Sequence, residues 1–248
     1  CWFIQLEKER SWIVRLIKPY YEIESEINSE VILKHLERAA RTCYKSEHQI
    51  GDFEKTKKFV TGLIKRGHES TIEHYSLSVR FIVDRGVTHE LVRHRLVAYS
   101  QESTRFCNYS GDGFGGHVTY IIPPWLKLEE GIYRVDPYQN KFYVDDVETC
   151  PTPAGRNWLS SLAESEMTYL NLVEHSGWSP QQARSVLPNS LKTEIVASAN
   201  LREWRHIFKM RAQGVAGKPH PQMSEVMVPL LKDIQSRIPV VFDDIFAN

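Results

Sequence analysis

The chain has 248 residues, 42% of them hydrophobic and 25% charged, the balance of an ordinary globular protein long enough to bury a sizeable core. Its 31 basic and 31 acidic residues cancel, which excludes a general electrostatic affinity for nucleic acid, so any cationic site must be a local concentration. No apolar run approaches the roughly 20 residues needed to span a bilayer, and no signal peptide is expected, because the opening Cys1-Trp2-Phe3-Ile4-Gln5-Leu6-Glu7 lacks a basic region and turns charged at once.

The four cysteines, Cys1, Cys43, Cys107 and Cys150, are widely spread with no Cys-x-x-Cys pair. They read as reduced thiols of a cytoplasmic protein, with neither a zinc knuckle nor a disulfide frame. Ser11 to Leu16 is expected to be a strand. Ser29 can cap a helix carrying Ile32, Leu33, Leu36, Ala40 and Cys43 at helical spacing, and Asp52 a second one that Gly67 stops. Ser70-x-x-Glu73 has the form of a capping box. Leu77 to Val83 alternates as a half-buried strand, broken by Gly86.

Val87 to Val97 is then expected to be a helix, with Thr88 as a possible cap. It would carry Arg93, His94 and Arg95 in adjacent positions, fanned over about 200° of its surface. Residues 108–154, punctuated by glycine and proline, read as a loop-rich insertion or lid with one strand near Val118–Ile122. Pro153 to His175 reads as a long helix and Ser179-Pro180 as the start of a short one. A strand is expected from Thr193 to Ala199 and a helix from Leu201 to Arg211. In that helix Arg202, Arg205, His206 and Lys209 lie close to one face. The last helix begins at Gln222 and is interrupted at Pro229. Strands and helices mix without regular alternation, so the fold class is α+β, a mixed or antiparallel sheet core flanked by helices, in a single domain 1–248.

Two basic concentrations, 88–106 and 200–211, each mix Arg with His, Asn or Ser. Such forks beside small hydroxyls suit an anionic, planar partner, while the bland alternative is two solvated helix faces. His68, Glu69, Glu73 and His74 lack metal-pair spacing. Glu90 and His94 have i, i+4 spacing but no evident third ligand, and a helix-surface pair is the plainer reading. Ser103 is not in a nucleophile elbow, and no Gly-rich dinucleotide or P-loop motif occurs. Cys107 and Cys150 have no neighbour in sequence that would lower a thiol pKa.

Arg93-His94-Arg95, seven residues, then Ser103-Thr104-Arg105 resembles the RHR-x7-S-x-R signature of the flavin-dependent thymidylate synthases. Gly67-His68-Glu69-Ser70-Thr71-Ile72-Glu73-His74, Ala183-Arg184-x-x-Leu187-Pro188 and Asn200-x-Arg202 through Arg211 resemble further blocks of that family, so the likeness covers roughly 12–237. It implies the fold of that family and a homotetramer with active sites between subunits. It also implies reductive methylation of dUMP, with methylenetetrahydrofolate as carbon donor, reduced FAD as hydride donor and NADPH as reductant. By motif position Glu90, Arg93, Gln101, Glu102, Ser103, Thr104, Arg105, Arg184 and Arg211 would meet dUMP, with Arg211 and Ser103 nearest the chemistry. Ser70, Glu73, Arg93, His94, Arg95, Gln101, Asn200, Arg202 and His206 would line FAD, and His68 would lie where folate and nicotinamide approach. No metal is implied. The rival is an RNA-binding module using the basic helices, against which stand the zero net charge and the lack of any RNA-binding motif.

Overall fold

The computed structural model describes residues 12–246 except Asp112, Phe114 and Pro137; Cys1 and Ser11 lie outside the described residues. The chain is α+β, as expected, and contains two compact units. One comprises the chain up to Pro19, Ile82–His89 and Gln101–Glu194; the other comprises Tyr20–Phe81, Glu90–Ser100 and the chain from Ile195.

The first unit is built on a five-stranded sheet. Strand β1 (Trp12–Ile17) lies between β5 (Thr119–Ile121), parallel to it, and β6 (Gly131–Asp136), antiparallel; β7 (Lys141–Val144) and β8 (Val147–Thr149) extend the sheet. Alternation buries Val14 and Leu16 on β1 and Tyr133 and Val135 on β6. These side chains share a core with Leu159, Leu162, Ala163, Tyr169 and Leu170 of helix α4 (Pro153–Glu174), which recur at helical spacing. Thr152 caps that helix by accepting from Gly155 N at 3.2 Å, and the short helix α5 (Pro180–Ala183) starts after Ser179 as expected.

The region 108–154 is therefore not simply a loop-rich lid: it supplies four of the five strands of this sheet. The hairpin β7–β8 turns on Asp145 and Asp146, both with positive φ (45° and 65°). This is a two-residue turn of the twist that hairpins need. Asp-Asp lacks the glycine that usually advertises such a turn, which is why the strands were not legible.

A four-stranded sheet runs β2 (Tyr20–Ile23), β3 (Ser76–Asp84), β9 (Lys192–Asn200), β4 (Ala98–Gln101). Helix α1 (Ser29–Thr42) is capped by Asn28, one residue before the expected Ser29, and α2 (Phe53–Lys65) by Asp52 as expected. The fully buried Glu37 of α1 accepts from Arg41 Nε at 2.7 Å and from Thr56 Oγ1 of α2 at 2.6 Å, tying the two helices. Gly67 leaves α2 with φ +73°, the left-handed stop that its position suggests. The following 3-10 turn, Glu69–His74, begins before Ser70 and has no side-chain cap, so the expected capping box does not form.

Helix α6 (Leu201–Phe208) follows β9 directly, capped by Asn200 Oδ1 on Glu203 N at 2.9 Å. Its buried Trp204 donates to Leu77 O at 3.1 Å and stacks on Phe208. The helix continues as a π turn, Lys209–Gln213, where Gly214 N reaches Lys209 O at 2.9 Å. Helix α7 (Pro221–Arg237) runs through Pro229 without the expected interruption. Val226, Met227, Leu230, Leu231 and Ile234 are buried on both sides of the proline, and that packing offsets the cost of about 3 kcal/mol of an interior proline. No helix among the described residues is long and apolar enough to cross a membrane.

Candidate active site

Helix α3 (Arg85–Leu91) stops well short of Val97, so Arg93, His94 and Arg95 lie on turns and not on a helix. Asp84, not Thr88, caps it, its Oδ1 accepting from Val87 N at 2.8 Å; Thr88 instead donates to Arg85 O. At the other end Arg93 N bonds Glu90 O at 3.3 Å and His94 N bonds Leu91 O at 3.1 Å, tightening the chain out of the helix. Tyr99 Oη then donates to Leu91 O at 2.6 Å and His94 O at 3.2 Å, taking up the carbonyls left at the helix end. The turn buries His94 and leaves Arg93 and Arg95 exposed.

Within the second unit, His94 meets Arg211 of the π turn. Arg211 Nε lies 3.1 Å from His94 Nε2, its Nη1 donates to Glu90 Oε2 at 2.9 Å and its Nη2 to Glu90 O at 3.2 Å. Glu90 and His94 thus pair with Arg211, and not with each other as a helix-surface pair. A guanidinium carries five N–H donors; three are engaged among the described residues. Burial first, then the charges of Arg211 and His206, pull the His94 pKa down to about 4. The other face of His94 meets Glu203, Nδ1 to Oε1 at 3.8 Å. Glu203 was missed in the sequence. Buried at the third position of α6, it carried no signal beyond lying three residues before His206.

A hollow of about 740 Å³ lies beside them, lined by Glu73, Leu96, Asn200, Arg202, His206 and Lys209 among others. Its volume suits an extended cofactor. Of the residues expected around flavin, Glu73, Asn200, Arg202 and His206 line this hollow and Ser70 lines a neighbouring one of about 660 Å³, as does His68, expected where folate and nicotinamide approach. Arg93, His94 and Arg95 line neither. Arg202 Nη1 donates to Glu73 Oε1 at 2.5 Å and Nε lies 3.8 Å from Glu69. With its side chain 52% exposed, these pairs are solvent-screened and weak.

The basic face expected on 201–211 is not one continuous cationic surface. Arg205 is buried, with Nη1 and Nη2 on Asp244 at 2.6 and 2.7 Å and Nε on Glu69 at 3.1 Å. Glu69 also lies within 4.0 Å of Arg202 and Lys209.

In the first unit, Ser103 O accepts from Phe106 N and Cys107 N, forming a turn in which Ser103 Oγ accepts from Arg105 N at 3.3 Å. Thr104 Oγ1 accepts from Arg184 Nη1 at 3.0 Å, and Arg105 Nε approaches Gln181 Oε1 at 3.4 Å. The turn is anchored on both sides. Glu102 accepts from Tyr109 Oη at 2.7 Å and Lys192 Nζ at 3.1 Å, while Gln101 Nε2 donates to Thr88 Oγ1 at 3.0 Å and Thr193 Oγ1 at 3.3 Å. No base is among the hydrogen-bond partners of Ser103 in the described residues, so its hydroxyl suits a ligand contact better than nucleophilic attack. Burial, reinforced by Glu102, pushes the Cys107 thiol up, away from a reactive thiolate.

Residues 30–240, across both units, match the family model described as thymidylate synthase complementing protein. The chain is 29% identical over 228 residues to a flavin-dependent thymidylate synthase of Corynebacterium glutamicum, covering 91% of this chain and 84% of that one. It is 28% identical over 214 residues to one of Mycobacterium tuberculosis, covering 84% and 78%. Among solved structures, a UMP/dUMP methylase from Streptomyces cacaoi bound with 5-Br dUMP superposes with a TM-score of 0.70 at 19% identity, covering 93% of this chain and 96% of that one. The motif Arg93-His94-Arg95 with Ser103-x-Arg105, the fold and these matches agree: the chain belongs to the thymidylate synthase complementing protein family, that of the flavin-dependent thymidylate synthases.

Proposed function

We propose that this protein catalyses the reductive methylation of dUMP: dUMP, methylenetetrahydrofolate, NADPH and a proton give dTMP, tetrahydrofolate and NADP⁺. The observation that carries the reading is the Arg211 fork, held by Glu90 and His94 of the signature segment. A fixed guanidinium at the N3–O4 edge of uracil stabilises negative charge on the ring and so favours the form that accepts a one-carbon unit at C5. Glu90, Arg93, Gln101 and Glu102 belong to the same dUMP-binding set. Ser103, Thr104, Arg105 and Arg184 hold its phosphate, for which the guanidinium forks and adjacent hydroxyls are suited donors.

The residues of the 740 Å³ hollow fit FAD by donor chemistry. Arg202, His206 and Lys209 present positive or donor groups to a pyrophosphate, and Glu73 and Asn200 can meet sugar hydroxyls. Ser70, Arg93, His94, Arg95 and Gln101 complete the flavin set, and His68 meets folate or nicotinamide. When bound and reduced by NADPH, the flavin supplies the hydride; the protein binds, orients and supplies charge. The chain works as one synthase domain in a cytoplasmic homotetramer with active sites at subunit interfaces.

The test is tritium release from [5-³H]dUMP by protein loaded with FAD, which must require both NADPH and methylenetetrahydrofolate. Protein that stays colourless after incubation with FAD, or release that is independent of folate, refutes the reading.

A further inference from the structure

We propose that Glu203 is a positioning residue for Arg211, acting through His94: the carboxylate holds the His94 proton on Nδ1, which keeps Nε2 open to receive the Arg211 Nε–H. The consequence for catalysis rests on the assignment of Arg211 to the uracil made above.

A guanidinium has no acceptor and keeps its protons. At 3.1 Å from Arg211 Nε, His94 Nε2 must therefore present a lone pair. The neutral ring then carries its proton on Nδ1. That proton faces Glu203 Oε1 across 3.8 Å, with the two side chains only 6% and 9% exposed. In such a place a carboxylate at this distance sets the side on which a neighbouring proton sits, with no direct hydrogen bond needed.

Two further features hold the line of groups. Tyr99 Oη donates to His94 O and fixes the ring's backbone, and Asn200 caps Glu203 N, fixing the first turn of α6. Burial and the Arg211 guanidinium beside His94 also disfavour its doubly protonated form, which would turn Nε2 into a donor facing a donor.

The same reasoning decides a competing use of these residues. His94, Glu203 and His206 bring three possible ligand atoms within 4.8 Å of one another, a metal-site geometry on distance alone. A metal on His94 Nδ1 would have to expel the proton that the Arg211 contact places there, and a metal on Nε2 would have to displace Arg211. The arrangement is a carboxylate facing an imidazole across 3.8 Å and a hydrogen bond from a guanidinium to that imidazole, and the tautomer is what it specifies.

The experiment is ¹⁵N NMR of ring-labelled histidine in the FAD-loaded protein, with the His94 signals assigned by their absence in H94N, together with the Arg211 Nε–H signal. Wild type is expected to show the Nδ1–H tautomer and a slowly exchanging Arg211 Nε–H. In E203L the Nε2–H tautomer should appear and Arg211 Nε–H should exchange faster. In E203Q the amide oxygen keeps its partial negative charge toward Nδ1, so the wild-type tautomer should persist. Losing one hydrogen bond to a charged group should lower kcat in E203L roughly 10- to 100-fold at saturating FAD, with E203Q recovering most of it. A wild-type His94 with its proton on Nε2 overturns the proposal without any variant, and so does an E203L protein that keeps both signals unchanged. If both signals change while kcat does not, the Glu203–His94–Arg211 line stands and the assignment of Arg211 to the uracil falls.

Discussion

Replacing Arg205 with alanine tests how the second unit holds its C-terminal segment. The Arg205 side chain is 2% exposed and, among the described residues, has three partners: Asp244, gripped by two fork bonds at 2.6 and 2.7 Å, Glu69 at 3.1 Å, and the Val241 carbonyl. Removing one member of a buried ion pair typically costs about 3–5 kcal/mol. Here Asp244 is 51% exposed and Glu69 24%, so both can rehydrate and the expected loss shrinks to about 2–3 kcal/mol. For a chain of this size that is a fall of about 4–12 °C in Tm, or a matching shift of the urea midpoint at unchanged slope. D244N keeps one fork acceptor and should cost about 1 kcal/mol. The pH dependence gives a second check. The Arg205 hydrogen bonds hold the Asp244 carboxyl below its ordinary value, so the pair contributes fully above a normal carboxylate pKa of about 3.9. Its contribution is lost as pH falls through the lower folded value. The gap between wild type and D244N should be flat from neutral pH down to about pH 5 and close in strong acid. An R205A protein within about 0.5 kcal/mol of wild type, or a D244N loss larger than that of R205A, refutes the reasoning.

Four further outcomes are expected. The pKa of His94 lies near 4 in the folded chain, so the unfolded chain takes a proton there that the folded one refuses between roughly pH 6.5 and 4. Stability should fall by about 3 kcal/mol as pH drops through that window, and a slope unchanged in H94N would refute the assignment. R211A should lower turnover far more than FAD retention, since Arg211 is assigned to the uracil; an empty flavin site in that variant, read by absorbance, counts against it. S103A should weaken dUMP binding and keep measurable turnover; complete loss with dUMP binding intact would make Ser103 a chemical group. D52A removes the acceptor of the Lys55 N bond and should cost about 1 kcal/mol of stability by denaturant unfolding.

Much of this fold was legible because the signals were local. Asp52 and Gly67 bound α2 as capping chemistry requires, the spacing of Leu159, Leu162 and Leu170 buried the face it predicted, and the alternation expected for Leu77–Val83 holds as far as Phe81, after which Ile82 and Val83 are both buried. The failures have physical causes of their own. The segment 88–97 carries helical residues, but Tyr99 takes the carbonyls of Leu91 and His94 at the helix end. That tertiary bond is invisible to periodicity. Pro229 reads as a breaker, yet packing on both sides carries α7 through it.

The candidate site divides in the same way. Arg93, His94, Ser103 and Arg105 stood out because the motif spacing is dense and specific. What could not be read was which cations were already spent. Arg202, Arg205 and His206 look alike on a helical wheel, but Glu69 and Asp244, 136 and 39 positions away from Arg205, bury its charge. Arg202 keeps exposed, solvent-screened pairs. His206 stands exposed beside the hollow. Arg211 departs further, because the π turn inserts a residue and breaks the 3.6-residue phase that relates it to the rest of α6. Glu203 was hidden for the converse reason. A glutamate at the third position of a helix ordinarily serves the N-terminal dipole, facing water, and only the long-range approach of His94 gives it a buried partner. In both units the side chains best placed to touch ligand are those whose protein partners leave donors over, and that remainder is a property of non-local pairing, not of residue type.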